Sequence, residues 1–232
     1  MRRATAVTLS LLTLALLAGA TPSHASGLDL RIGGFFPNAD SNLFRDDHDL
    51  YGIDPKKDFT GVTGGIEYSA GIARNVELGF SLDGYERRLD TSYRDFVNDN
   101  NNGSEIRQTL KLNIVPVGVT LRILFAHPRA AVVPYAGAGG DLFYWRYREY
   151  GDFIDFGDPN QPIVADSFVS DGWQAGFHVA GGLRFRLNHD VAAVAEARYQ
   201  YAPTITMGGD FGPQNKIDLS GWSATVGVHI RF

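Results

Sequence analysis

The sequence predicts an all-β protein, an eight-stranded antiparallel up-and-down barrel that spans a membrane. Three observations predict it. Nearly every apolar segment after Leu28 alternates with a period of two, the spacing that sorts side chains onto the two faces of a strand. The connections alternate between tight turns and long polar stretches. Membrane barrels show the same asymmetry, with short turns on the periplasmic side and long loops outside. Finally, the last alternation closes on Phe232 with no polar tail behind it, where a soluble domain usually frays.

Residues 1–25, MRRATAVTLSLLTLALLAGATPSHA, read as a secretory signal peptide cleaved at about Ala25. Arg2 and Arg3 form the basic start, the apolar run covers about 6–18, and Ser23-His24-Ala25 is the cleavage site. The run is shorter than the ~20 residues a membrane helix needs. Residues 26–232 then form one barrel domain. Strands are predicted at about 28–36, 59–71, 75–89, 105–124, 131–147, 172–187, 190–203 and 217–232. Tight turns fall at Ala73-Arg74-Asn75, Phe125-Ala126-His127-Pro128-Arg129 and Asn188-His189-Asp190. Long extracellular loops cover about 37–58, 90–104, 148–171 and 203–216.

Residue size predicts which face meets lipid. The bore of an eight-stranded barrel is only just wide enough for side chains, so inward positions are often small. In the last strand Gly221, Ser223, Thr225 and Gly227 share the polar face, whereas Trp222, Val226, Val228, Ile230 and Phe232 share the other. The third, sixth and seventh strands repeat the pattern. With the small polar face inward, the bulky apolar face is outward, which lipid alone accommodates. Ten steps from Trp222 to Phe232 rise roughly 25 Å at ~3.3 Å per residue and a ~40° tilt, the height of an outer-membrane apolar band. Phe36, Trp173, Tyr201 and Trp222 are then an outer aromatic girdle, and Tyr68, Phe185 and Phe232 an inner one.

The chain has 27 Gly and 12% aromatic residues, in keeping with tightly packed strands, and no cysteine for a disulfide or lipid anchor. Its net charge of −5 becomes −7 when Arg2 and Arg3 are removed. An acidic chain without a basic patch excludes a nucleic-acid partner.

The signal peptide, the eight amphipathic strands, the PYAGAGGDL strand from Pro134 to Leu142 and the terminal VHIRF resemble the small outer-membrane barrels of Gram-negative bacteria, the OmpA, OmpX and OmpW-like porin-family group. The resemblance implies an outer-membrane location, lipopolysaccharide and outer-membrane lipids as surroundings, and passage through periplasmic chaperones and the barrel-assembly machinery. It also implies that the last strand, Trp222, Val226, Val228, Ile230 and Phe232, is the assembly signal.

In the fourth strand Leu110, Leu112 and Ile114 share a face, but Val117, Val119, Leu121 and Ile123 continue one residue out of phase. The slip predicts a β-bulge at Val115-Pro116 that restores the outward face, since Pro cannot donate to the ladder.

The predicted lumen collects Asp29, Arg31, Glu67, Glu77, Asp83, Lys111, Arg122, Asp141, Arg184, Glu196, Arg198 and Arg231. In a narrow interior these must pair. One reading is a polar plug that gives a structural or surface-interaction role. The alternative is a narrow channel, for small solutes or, as in OmpW-like barrels, hydrophobic ones leaving sideways near Pro203 or Gly208-Gly209. The long loops are acidic, and DDHD (46–49) and NDNNNGSE (98–105) offer oxygens, but the spacing fits no EF-hand. No metal or cofactor is expected; solvated loop charge is one reading and divalent bridging to lipopolysaccharide phosphates the other. A lipid A-modifying enzyme is a third reading, but beyond the signal peptide, in which His24 precedes Ser26 by two, no His has Ser two residues on, and His178 and His229 point inward. The expectation is a non-enzymatic monomer.

Overall fold

In a computed structural model, residues 26–98 and 103–232 are described. The predicted signal peptide therefore lies outside the described residues, as does the centre of the NDNNNGSE segment.

The barrel strands are β1 (Ser26–Pro37), β2 (Gly61–Ala73), β3 (Val76–Asn98), β4 (Ser104–Leu124), β5 (Val132–Ile154), β6 (Ile163–Arg186), β7 (Val191–Tyr201) and β10 (Gly221–Arg231). They close in the order β1-β10-β7-β6-β5-β4-β3-β2, the fold class that the alternation predicts. The last strand pairs antiparallel with the first from Gly27↔Arg231 to Pro37↔Gly221, which closes the ring of the barrel. Ser26 and Phe232 add two backbone hydrogen bonds, 3.1 and 3.0 Å.

The outward face carries Ile32, Leu82, Val119, Phe177, Val226 and Ile230, all exposed. In water this surface would be unfavourable at ~25 cal/mol per Å²; hydrocarbon removes the penalty. Aromatic rings bound the band. At its outer edge Trp222 contacts Tyr199, Trp173 contacts Tyr144, and Tyr201 contacts Phe177, with centroids 5.0–5.2 Å apart, and Phe36 pairs across from Trp222. At the inner edge Tyr68 and Phe232 lie 6.4 Å apart, with Phe185 exposed toward lipid.

Four strands run past the outer girdle. β3, β4, β5 and β6 have 23, 21, 23 and 24 residues, against 11 in β7 and β10. Much of what reads as the loops 90–104 and 148–171 is therefore ladder, continuing to Val97↔Glu105 and Ile154↔Ile163. Residues 146–154 of β5 run beyond the outer girdle, roughly 26 Å of extra strand at ~3.3 Å per residue. Polar side chains hid these strands, because a sheet with no lipid on it needs no apolar stripe.

The loops 37–58 and 203–216 also contain structure. The first holds α1 (Asn42–Tyr51) and the single turn α2 (Pro55–Asp58). The second holds the small hairpin of β8 (Ile205–Thr206) and β9 (Lys216–Ile217), with a 3₁₀ turn at Gly209–Phe211 between.

The predicted bulge at Val115-Pro116 is absent. β4 keeps one register against β5 from Gln108↔Gly151 to Leu124↔Tyr135, and Leu82↔Val117 and Tyr85↔Ile114 on its other side are in step. Leu110, Leu112 and Ile114 instead face inward, buried, while Val117, Val119, Leu121 and Ile123 face out. The phase slip marks a change in what the bore contains. Below Pro116 the inward face is polar; above it, apolar.

The filled lumen as candidate functional site

The middle of the bore holds an ion-pair network built by inward positions of six strands. Arg31 on β1 meets Glu196 at 2.8 Å, Glu67 at 3.2 Å and Asp83 at 3.2 Å. Arg198 on β7 meets Glu196, Glu67 and Asp83 at 3.1–3.3 Å. Arg122 on β4 contacts Glu67 directly and lies 3.4 Å from Glu77. Arg184 on β6 meets Glu77 at 2.9 Å and Asp29 at 3.5 Å. His229 binds the other oxygen of Asp29 at 2.8 Å. Tyr135 donates its hydroxyl to Glu196 at 2.9 Å and lies beneath the Arg122 guanidinium, 4.6 Å from ring centroid.

The centre of the network is buried: the side chains of Glu67 and Arg122 are 0% and 2% exposed. Such charges persist in low dielectric only when each has partners that repay desolvation. Small residues make room for them. A Cβ on Gly65 would lie 2.0 Å from an Asp83 oxygen, and one on Gly79 2.9 Å from a Glu67 oxygen.

Ten of the twelve residues predicted to line the lumen point into the bore, nine in this network and Asp141 beside it. Lys111 does not. It lies on the outer face of the sheet extension and pairs with exposed Glu86 at 2.8 Å. Its neighbours Leu110 and Leu112 are the buried ones, so the expected bulge had assigned it to the wrong side. Arg231 lies at the mouth on the short-turn side, bonded to the Pro128 carbonyl at 2.7 Å.

Asp141 belongs to a separate relay. Thr120 Oγ1 and His178 Nε2 are 2.9 Å apart, and His178 Nδ1 and Asp141 Oδ2 2.7 Å. A hydrolase triad has the same order of hydroxyl, imidazole and carboxylate. Here Thr120 and His178 are 0% exposed, so no substrate carbonyl reaches the hydroxyl.

Above the network the bore turns apolar and receives the loops. Phe44 of α1 packs on Phe59, and Phe59 on Tyr147 of β5. Leu43, Phe44, Phe59, Leu110, Leu112, Ile114, Phe143, Trp145, Met207 and Ile217 form one buried cluster. Leu43, Asp47 and Tyr51 recur at helical spacing and are buried, a signal in the sequence that the loop reading passed over. The tethers are polar. Tyr85 donates to the Phe59 carbonyl, Arg87 Nε to the Asp58 carbonyl at 2.7 Å, and Asn42 Nδ2 to the Gln214 carbonyl at 2.9 Å. Gly208 N–H donates to Ser170 Oγ at 3.1 Å, which holds the Gly208-Gly209 segment against β6.

Two carboxylates lie in this cap, outside the membrane span. Asp47 and Glu149 are 2% and 8% exposed, and no cation pairs with either among the described residues. Burial, then the neighbouring Glu149 charge, pushes the Asp47 carboxyl well above the usual range, although the Tyr147 hydroxyl opposes this. Burial pushes Glu149 up to about 7, against hydrogen bonds from Tyr147 and Tyr51. In the DDHD segment Asp47 thus turns inward, while Asp46 and Asp49 stay exposed.

A closed antiparallel barrel with an apolar outer band, two aromatic girdles and a charged interior defines an integral β-barrel membrane protein. The chain belongs to the outer membrane protein beta-barrel domain family, whose model matches residues 7–232; it is an outer-membrane protein. Among solved structures it is similar to the outer membrane protein OprG from Pseudomonas aeruginosa, at 12% identity and TM-score 0.56, covering 92% of this chain and 98% of that one. A major outer membrane protein from Thermus thermophilus is 12% identical over 90% of this chain and all of that one, with TM-score 0.49. E. coli outer membrane protein W is 17% identical over 90% and 100%, with TM-score 0.43. No curated protein sequence matches significantly.

Proposed function

We propose that this protein is a closed, non-conducting barrel with a structural and surface-interaction role. One observation carries the reading: the bore is filled twice over, by the ion-pair network at its centre and by α1 and the β8–β9 loop above it. The gap between the two, lined by Arg31, Tyr85, Ile114 and Gln200, holds only about 20 Å³, room for about one water. A passage for small or hydrophobic solutes would need both layers to move.

The extracellular sheet is then the working surface, in contact with lipopolysaccharide or a neighbouring surface. Exposed Phe96, Val97 and Phe156 support this, since apolar side chains on a solvated sheet mark contact sites. The protein works as a monomer without cofactor or catalysis, and assembles through chaperones and the barrel-assembly machinery by its last strand. Conductance across a planar lipid bilayer tests the proposal. The purified protein gives no steady openings; sustained ion-selective current would sink the closed reading.

A further inference from the structure

We propose that the periplasmic mouth of the bore binds an oxyanion group, carboxylate or phosphate, carried by a soluble periplasmic molecule. Three arginines meet there. Arg186 and Arg231 end β6 and β10 at inward positions, two residues beyond Arg184 and His229, and Arg129 lies in the β4–β5 turn. Arg186 Nη1 donates to the Arg129 carbonyl and Arg231 Nη2 to the Pro128 carbonyl. These bonds fix the guanidinium groups without neutralising them.

None of the three joins an ion pair among the described residues. Arg231 lies in the field of Arg184, Arg129 and Arg186, opposed by Glu77. Glu77 is already shared by Arg184 and Arg122; exposed Asp190, which contacts His189 at 2.6 Å, is a carboxylate in the recess lining, set against four nearby guanidinium groups. The contrast with the central network is sharp: there every guanidinium has carboxylate partners, here positive charge is in surplus. A guanidinium has five N–H donors, so one bond to a carbonyl leaves a fork free for a carboxylate or phosphate.

The recess is lined by Pro128, Ala130, Arg184, Arg186, Asp190 and Arg231 among others, and holds about 10 Å³. Behind it Leu124, Val133, Tyr135 and Val194 close the bore. Only the oxygens of a terminal group fit, and the rest of the ligand stays in the periplasm. A lipid headgroup is the poorer source, because Arg186 and Arg231 point toward the axis while Phe185, Leu187, Ile230 and Phe232 face the membrane.

The test uses the full barrel in nanodiscs of neutral phosphatidylcholine, titrated with inorganic pyrophosphate at low ionic strength. Calorimetry and the NMR signals of arginine Nε–H groups report binding. The site predicts saturable binding, weakened about tenfold or more in R186Q/R231Q, retained within a few-fold in R186K/R231K, and unchanged in K111Q. Heat-modified gel mobility verifies that each variant is folded. Absence of saturable binding, or equal affinity in R186Q/R231Q, overturns the site. Perturbation of the same arginine signals by phosphatidylglycerol in the disc, without response to pyrophosphate, overturns the soluble source.

Discussion

Tyr147 donates its hydroxyl to Asp47 Oδ2 at 2.8 Å, joining the helix that fills the mouth to the wall that surrounds it. One partner comes from α1 and the other from the part of β5 beyond the outer girdle, 100 residues apart. Around this bond lie Glu149, Tyr51 and Tyr93, with Asp46 at the solvent side.

Docking of the cap should depend on pH. Glu149 is raised from 4.5 to about 7 in the folded protein, and Asp47 is raised in the same direction. A carboxyl raised by folding binds more protons folded than unfolded, so its contribution is complete at pH below about 4.5 and falls as pH rises through about 7. Amide exchange over residues 42–51, corrected for intrinsic rate, should be slower at pH 5 than at pH 8. Glu149→Gln should flatten the difference. Equal protection at both pH values would refute the coupling.

Arg122→Ala should destabilise the barrel by about 3–5 kcal/mol, the range for removing one partner of a buried charge cluster. Glu67 and Glu77 would lose a buried cation. Lys111→Ala, on the exposed outer face, should cost less than about 1 kcal/mol. Urea unfolding in lipid vesicles, followed by tryptophan fluorescence, separates the two, and equal losses would contradict the placement of Lys111.

Phe44→Ala should loosen the cap and leave the membrane part intact. Phe44 is 1% exposed against Phe59, and truncating such a ring costs about 3–5 kcal/mol. The expected signature is faster exchange in α1 with β7 and β10 unchanged. Uniform loss of protection would show that cap and barrel unfold together.

Val226→Arg tests the assignment of sides. Val226 lies between Ile32 and Ala195 on the outer face, 61% exposed. A charge at midplane depth in a barrel wall costs about 2–4 kcal/mol. A loss well under ~1 kcal/mol in vesicles would place water, not hydrocarbon, against that face.

Deleting Phe232 should lower the yield of folded barrel in the outer membrane. The deletion removes two backbone bonds to Ser26 and the ring beside Tyr68, and the terminal residue of the proposed assembly signal. Heat-modified mobility of membrane fractions measures the yield, and wild-type levels would argue against that role.

Period-two alternation by itself determined the barrel, because a strand in a thin wall has one lipid face and one packed face. The same rule placed Asp29, Arg31, Glu67, Glu77, Asp83, Arg122, Arg184, Glu196 and Arg198 inside. It failed on β4, where Leu110, Leu112 and Ile114 are apolar and inward. Hydrophobicity reports removal from water, and both lipid and the loop cap achieve that, so the pattern alone cannot name the side. Only the closed register distinguished them. Tertiary structure likewise decided that α1 enters the mouth, that Asp47 and Glu149 share a dry site, and that polar β3–β6 extend outside. Those features depend on residues distant in sequence meeting across the bore, and no local period encodes such meetings.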